Sequence, residues 1–253
     1  MSTQTAAPAP HFRFRFVPVL TTVLLGIGLP YLAGELVDLA RHYSHLVPGI
    51  ADQLGWLYAQ HGVQTVLALI VIAVMKWLVP ADYGLHAPED KSYVGAAILW
   101  GLFFGVLMTV VDYAPDILHR TAPKLGYPLD TAHVVGWLGF EGIYVGPTEE
   151  ILFRSLLVTF LAVTMPGKVR LWGYEMNGAG IVVAAIFALA HFGSYFSDPW
   201  WAATGQTIYA FALGVLYAYW LEKSKSVLAP IVGHNVSDVT EYALLFLMVA
   251  FWG

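Results

Sequence analysis

The stretch 131-TAHVVGWLGFEGIYVGPTEEILFRSLLVTFLAVTM-165 decides how the chain folds. It is apolar almost throughout, yet it carries Glu141, Glu149, Glu150 and Arg154. A straight helix of this length, at about 1.5 Å per residue, would exceed 50 Å, against about 30 Å of bilayer hydrocarbon. Pro147 after Gly146 is the natural break. Proline suits a first helical turn, and the following Thr148-Glu149-Glu150 places acid at a helix N-terminus. The expected arrangement is a short or re-entrant helix over 131–146 and a second helix over 147–165.

The rest of the chain has the same character. Of 253 residues, 58% are hydrophobic and only 11% are charged, and the mean hydropathy is +0.66. A soluble domain carries roughly a quarter of its residues as charges. There are 12 Lys and Arg against 17 Asp and Glu, so no basic surplus exists for nucleic acid. The lack of cysteine removes disulfides, thiolate metal sites and a cysteine nucleophile. Uncharged runs of membrane-spanning length occur at 16–34, 92–111, 176–197 and 199–221. The run 62–79 tolerates Lys76 near its end by snorkelling, and 226–253 is interrupted by Asp238 and Glu241. The fold class is therefore all-α: a polytopic transmembrane bundle of seven or eight helices, forming one integral membrane domain over 1–253. The segment 38–61 is mixed in polarity and reads as an interfacial helix or loop. Trp77, Trp172, Trp200, Trp201, Trp220 and Trp252 sit near predicted span ends and read as an aromatic belt.

Arg13 and Arg15 precede an uncharged run longer than a signal-peptide core, so a retained first span is expected. With a cytoplasmic N-terminus and a single crossing by 131–165, the inside collects Arg13, Arg15, Lys76, Lys91, Lys168, Arg170, Lys223 and Lys225. The outside receives Arg41, Arg120 and Lys124. That bias favours this orientation, and two full crossings by 131–165 would spoil it. The expected location is a bacterial-type plasma membrane.

An ionised side chain at mid-membrane costs around 2.5–3.5 kcal/mol on insertion scales, so Glu149, Glu150 and Arg154 must face the bundle interior or a wet cavity. Glu150 and Arg154 are four apart and can pair on one helix face, which leaves the charge of Glu149 over. His191 lies late in the apolar run IVVAAIFALAHFGSYF. His234 and Asp238, four apart in GHNVSD, share a face if that segment is helical. Glu141 has no second polar group at helical spacing, and a structural or loop role suits it at least as well. A carboxylate in a low-dielectric site can act as general base on water, with a histidine assisting and further donors holding an oxyanion. This is equipment for hydrolysis without a covalent nucleophile.

Pro147-Thr148-Glu149-Glu150-Ile151-Leu152-Phe153-Arg154 resembles the P-x-E-E-x-x-F-R motif of the CPBP family, intramembrane proteases that include the type II CAAX prenyl proteases. Phe187 to His191 is similar to that family's F-x-x-x-H motif, and His234 to Asp238 to its H-x-x-x-N/D motif. The three occur in the family's order, and the resemblance covers about residues 131–245. It implies a glutamate-dependent intramembrane endopeptidase with Glu149 as the base that activates water, assisted by His191. Glu150 and Arg154 would support the first motif, and His234 and Asp238 would correspond to the oxyanion-stabilising pair. Two positions depart from the pattern. Ser155 stands where the family often has glycine, and Asp238 where prenyl proteases often carry Asn. An ionised Asp cannot donate to an oxyanion, so Asp238 is either protonated or orients His234.

No cofactor is expected on this reading. Two others compete with it. A metalloprotease could use Glu149, His191 and His234 as ligands of a divalent metal such as zinc, although no H-E-x-x-H pair is present. A non-catalytic immunity or transport protein would also place acids and histidines at mid-membrane. The expected partners are the lipid bilayer and a membrane-associated or prenylated peptide or protein substrate. A prenylated C-terminal tail, a bacteriocin leader and a membrane-anchored sorting signal would each suit such a cavity. Ala210, Ala212 and Gly214 suggest close helix packing, with a lipid-accepting groove as one use for it.

Overall fold

Long apolar helices dominate the computed structural model, which describes residues 12–43, 52–89, 91–171 and 173–253. Eight helical rods follow one another among the described residues: α1 (Phe16–His42), α2 (Gln53–Leu78), α3 (Val94–Asp112), the short α4 (Ala114–His119), α5 (131–164), α6 (178–196), α7 (Trp200–Ser224) and α8 (Leu228–Trp252). Four of them, α1, α2, α3 and α6, are long and apolar enough to cross a membrane. Large apolar side chains on α1 to α3, such as Leu24, Val66 and Leu99, point away from the protein, as a lipid-facing surface requires. A two-stranded antiparallel hairpin, β1 (Lys168–Leu171) with β2 (Tyr174–Asn177), joins α5 to α6 and is the one departure from an all-helical chain among the described residues.

The described ends of the segment 38–61 belong to long helices rather than to a separate interfacial element. Residues 38–42 end α1, residues 53–61 begin α2, and 44–51 lie outside the described residues, as does Trp172. Trp220 is not part of an aromatic belt. It is buried against Tyr217 and the backbone of Gly233 in the core between α7 and α8. Trp77 and Trp200 are exposed near helix ends, as a belt requires.

The break expected at Pro147 does not occur. α5 is one continuous rod: Thr131–Gly139 α-helical, Phe140–Tyr144 π-helical, Val145–Glu150 α-helical, Ile151–Val158 π-helical and Thr159–Thr164 α-helical. Proline lacks an N–H and removes one bond from the ladder. Here the wide π turn just before it takes up the mismatch, so the helix need not end. The Gly146 N–H donates instead to Asn235 Oδ1 of α8 at 2.8 Å. Asp130 caps the start of the rod: its carboxylate accepts the His133 backbone N–H and ring Nδ1–H, each at 2.9 Å. Those two bonds hold Asp130 below the usual carboxylate range.

α5 runs through the middle of the bundle. Leu152, Leu156, Leu157 and Leu161 pack against Ala68 and Ile72 of α2, Val183 and Phe187 of α6, and Ala218 and Leu221 of α7. The expected close packing around Gly214 is present, since a Cβ there would lie 2.9 Å from Ala184 Cβ of α6. Ala210 and Leu213 instead line the large cavity described below.

α3 and α8 meet along glycines. A Cβ on Gly101 would lie 2.9 Å from the Gly233 carbonyl, and one on Gly105 would lie 2.5 Å from the Ser237 carbonyl. This four-residue spacing of glycines lets two backbones touch. Ser237 adjoins Asp238, so this seam sets the depth of the site residues on α8. Gly105→Leu should force the helices apart at a cost of about 1–3 kcal/mol or more. On the same helix, a Cβ at Gly95 meets nothing within 4 Å. Thermal unfolding in mild detergent should show a lowered midpoint for Gly105→Leu and a wild-type midpoint for Gly95→Leu; equal midpoints would refute the seam.

Candidate active site

The first motif divides between two environments because neighbouring residues on a helix point about 100° apart. Glu150 faces the core and is fully buried, whereas the Glu149 side chain is 18% exposed and faces a cavity of about 1160 Å³. Glu150 Oε2 lies 3.1 Å from Arg154 Nε, the pair anticipated from their spacing. This is an ion pair made by charge and proximity, without an aligned hydrogen bond. The Arg154 guanidinium, only 1% exposed, lies 4.4 Å from the centre of the Phe187 ring and 5.2 Å from that of Tyr217. Ser155, where glycine is common in the family, is fully buried with its hydroxyl unpaired.

Glu150 Oε1 also accepts from His234 Nδ1 at 2.7 Å, and His234 Nε2 lies 3.1 Å from Asp238 Oδ2. Two ionised carboxylates on one ring can both be satisfied only by the doubly protonated imidazolium. Asp238 therefore touches His234, and its other oxygen accepts from the Ser237 hydroxyl at 3.0 Å. Both ring nitrogens of His234 are committed, so the set Glu149, His191 and His234 cannot hold a metal unless Asp238 lets go. Among the described residues the group whose ligand atoms do lie close together is the exposed Asp82, His86 and Glu89. Both ring nitrogens of His86 are likewise engaged, by Asp82 and by the Ala87 carbonyl.

His191 sits where α6 tightens from α to 3-10 geometry. Its Nδ1–H donates to the Phe187 carbonyl at 2.9 Å, so in the neutral ring Nε2 carries the lone pair, and the residue lines the same cavity as Glu149. Phe187 spaces the constellation, meeting His191 edge-on at 4.8 Å and His234 at 6.2 Å between ring centres. The site residues named by motif are thus brought together: Glu149, His191, His234 and Asp238 on the cavity, Glu150 and Arg154 behind them.

Three contributors were not read from the sequence. Glu141, in the first π turn of α5, is buried and lines the cavity rather than a loop. Asn235 holds Gly146, and so ties the third motif to the first. His61 of α2 has Nε2 at 3.4 Å from Glu149 Oε1, closer than His234 Nε2, which lies 3.9 Å from Oε2. The available signal was the polar group Gln60, His61, Gln64 and Thr65 at the head of an apolar run. Gln60, His61 and Gln64 face inward: Gln64 Nε2 reaches the Thr148 carbonyl at 3.4 Å, and Gln60 Nε2 the Pro30 carbonyl at 3.2 Å.

Residues 131–240 match the family model described as Type II CAAX prenyl endopeptidase Rce1-like. The matched stretch runs from α5 into α8 and contains all three motifs. None of the curated proteins and none of the solved structures matches the chain. Over residues 131–240 this integral membrane protein is thus similar to the Rce1-like type II CAAX prenyl endopeptidase family, and in that stretch Glu149, His191, His234 and Asp238 line one cavity among apolar helices.

Proposed function

We propose that the protein is an intramembrane endopeptidase that hydrolyses a peptide bond of a membrane-associated, prenylated substrate, with Glu149 as the base. One observation carries this reading. Of the two adjacent glutamates, Glu150 is consumed by Arg154 and His234, while Glu149 is turned to a roomy cavity between two imidazoles at 3.4 and 3.9 Å. Glu149 takes a proton from water as the water oxygen bonds to the scissile carbonyl carbon. The charge that develops on the carbonyl oxygen is met by the His234 Nε2–H as it turns from Asp238 to that oxygen, while Glu150 holds Nδ1. His191, with its bare Nε2, orients the water. The proton then passes to the leaving amine as the C–N bond breaks. Each step uses side chains already present, and the commitment of His234 to two carboxylates favours this reading over a zinc-type one.

The continuous α5 rod is what a single crossing by 131–164 requires, and it supports an N-terminus on the cytoplasmic side. An apolar substrate tail fits a cavity walled by Met108, Phe187, Ala210 and Leu213 beside the polar group.

Glu149→Gln keeps the size of the side chain and removes the base. Cleavage of a farnesylated fluorogenic CAAX peptide in proteoliposomes should fall about 100-fold or more, with the protein still folded; an undiminished rate would reject the assignment. Exhaustive dialysis against a chelator should leave wild-type turnover unchanged. Loss of turnover that is restored by added zinc would favour the metal-dependent alternative.

A further inference from the structure

The proposed hydrolysis requires a place to hold the proton taken from water until the amine departs. The His61 side chain is 11% exposed and belongs to α2, outside the matched residues 131–240. Its Nδ1–H donates to the Leu57 carbonyl one turn back, at 3.0 Å, so in the neutral ring Nε2 carries the lone pair. The ring is wedged edge-on against Phe140 at 5.0 Å between centres, so it cannot swing away freely. Nε2 faces Glu149 Oε1 at 3.4 Å. With Glu149 ionised and the ring neutral, two acceptors oppose one another there. The pair forms a proper hydrogen bond only when one additional proton lies between them.

The seating of α2 against this part of α5 is specific. Tyr144 Oη donates to the Tyr58 carbonyl at 3.1 Å, Tyr58 Oη to the Gly136 carbonyl at 3.0 Å, and Gln64 Nε2 to the Thr148 carbonyl, next to Glu149, at 3.4 Å. These bonds bracket His61 on both sides and fix its distance from Glu149.

We propose that His61 is the proton-holding partner of Glu149, a positioning residue supplied by the N-terminal half of the chain. This rests on the glutamate-base reading above. As water attacks, its proton moves to Glu149, the new O–C bond forms, and the carbonyl pair moves onto oxygen. The resulting carboxylic acid is held by a hydrogen bond to His61 Nε2, so the proton is neither lost to the cavity nor returned to hydroxide. When the tetrahedral centre collapses, the C–N bond breaks, the electron pair stays on nitrogen, and the stored proton goes to the amine. The balance is one water added across one amide.

The test compares His61→Ala, His61→Gln and Glu149→Gln with wild type, in proteoliposomes, on the farnesylated fluorogenic CAAX peptide. Gln keeps a hydrogen-bonding group near the Nε2 position but cannot take up a proton. The expected result is a fall in kcat of about tenfold or more for both His61 variants, with KM within about twofold and an unchanged thermal midpoint. A kcat within about twofold of wild type in either folded variant overturns the inference, because retention by Gln alone would mean a hydrogen bond suffices. If Glu149→Gln is inactive while the His61 variants turn over normally, only this inference falls; if Glu149→Gln also cleaves, the glutamate-base reading falls first. Independently of turnover and of any variant, 15N NMR of the wild-type His61 ring should show a proton on Nδ1 and a bare Nε2. The opposite tautomer overturns the proposal.

Discussion

A guanidinium buried among apolar helices has to be neutralised where it sits, and the arrangement of this protein follows from how Arg154 meets that demand. Removing one partner of a buried ion pair costs about 3–5 kcal/mol, because the other is left charged without compensation. Arg154 is met by Glu150 on its own helix and by the faces of Phe187 on α6 and Tyr217 on α7. Glu150 spends its second oxygen on His234 of α8. One positive charge thereby fixes the relative positions of four helices. It also removes Glu150 from chemistry, since a fully buried carboxylate with both oxygens engaged cannot reach a substrate.

The geometry of α5 is the backbone counterpart of this constraint. In a plain α-helix, Glu149 and Arg154 would be separated by five residues at about 100° each, or some 140° around the axis. The π segment starting at Ile151 widens the turns between the acids and the residues that follow Arg154. π turns of this kind recur at functional sites because they alter which way a side chain points without ending the helix. The earlier one, over Phe140–Tyr144, allows Pro147 to remain inside the rod and frees Gly146 to bond to Asn235.

Legibility in the sequence followed the range of the interaction. The Glu150–Arg154 pair was readable because four-residue spacing on a helix is a local fact. The apolar runs were readable because the bilayer imposes a length. Pro147 misled because local propensity favours a helix start there, whereas the actual relief comes from a π turn three to seven residues earlier, which has no strong signature. Trp220 misled in the same way: its position near the end of a span says belt, but glycine at 233 on another helix opens a core slot for it. His61 was out of reach, since nothing within 38–61 tells that its partner lies 88 positions later. Glu141 was visible as a charge in an apolar stretch, yet its partners, too, are tertiary.

These cases bear on what a partial resemblance can carry. The matched stretch, 131–240, brings the acids, the arginine and two histidines, so the groups proposed to react come with it. The surroundings do not. The imidazole that lies 3.4 Å from Glu149 comes from α2, outside the match, and the glycines that set the depth of α8 come from α3, also outside it. Effective base strength in a low-dielectric site depends on those neighbours as much as on the carboxylate itself. On the proposed assignment of Glu149 as the base, chains that share the three motifs but differ in their first two helices should therefore keep the reaction and differ in how readily the base works, because the part that tunes Glu149 is the part that the motifs do not contain.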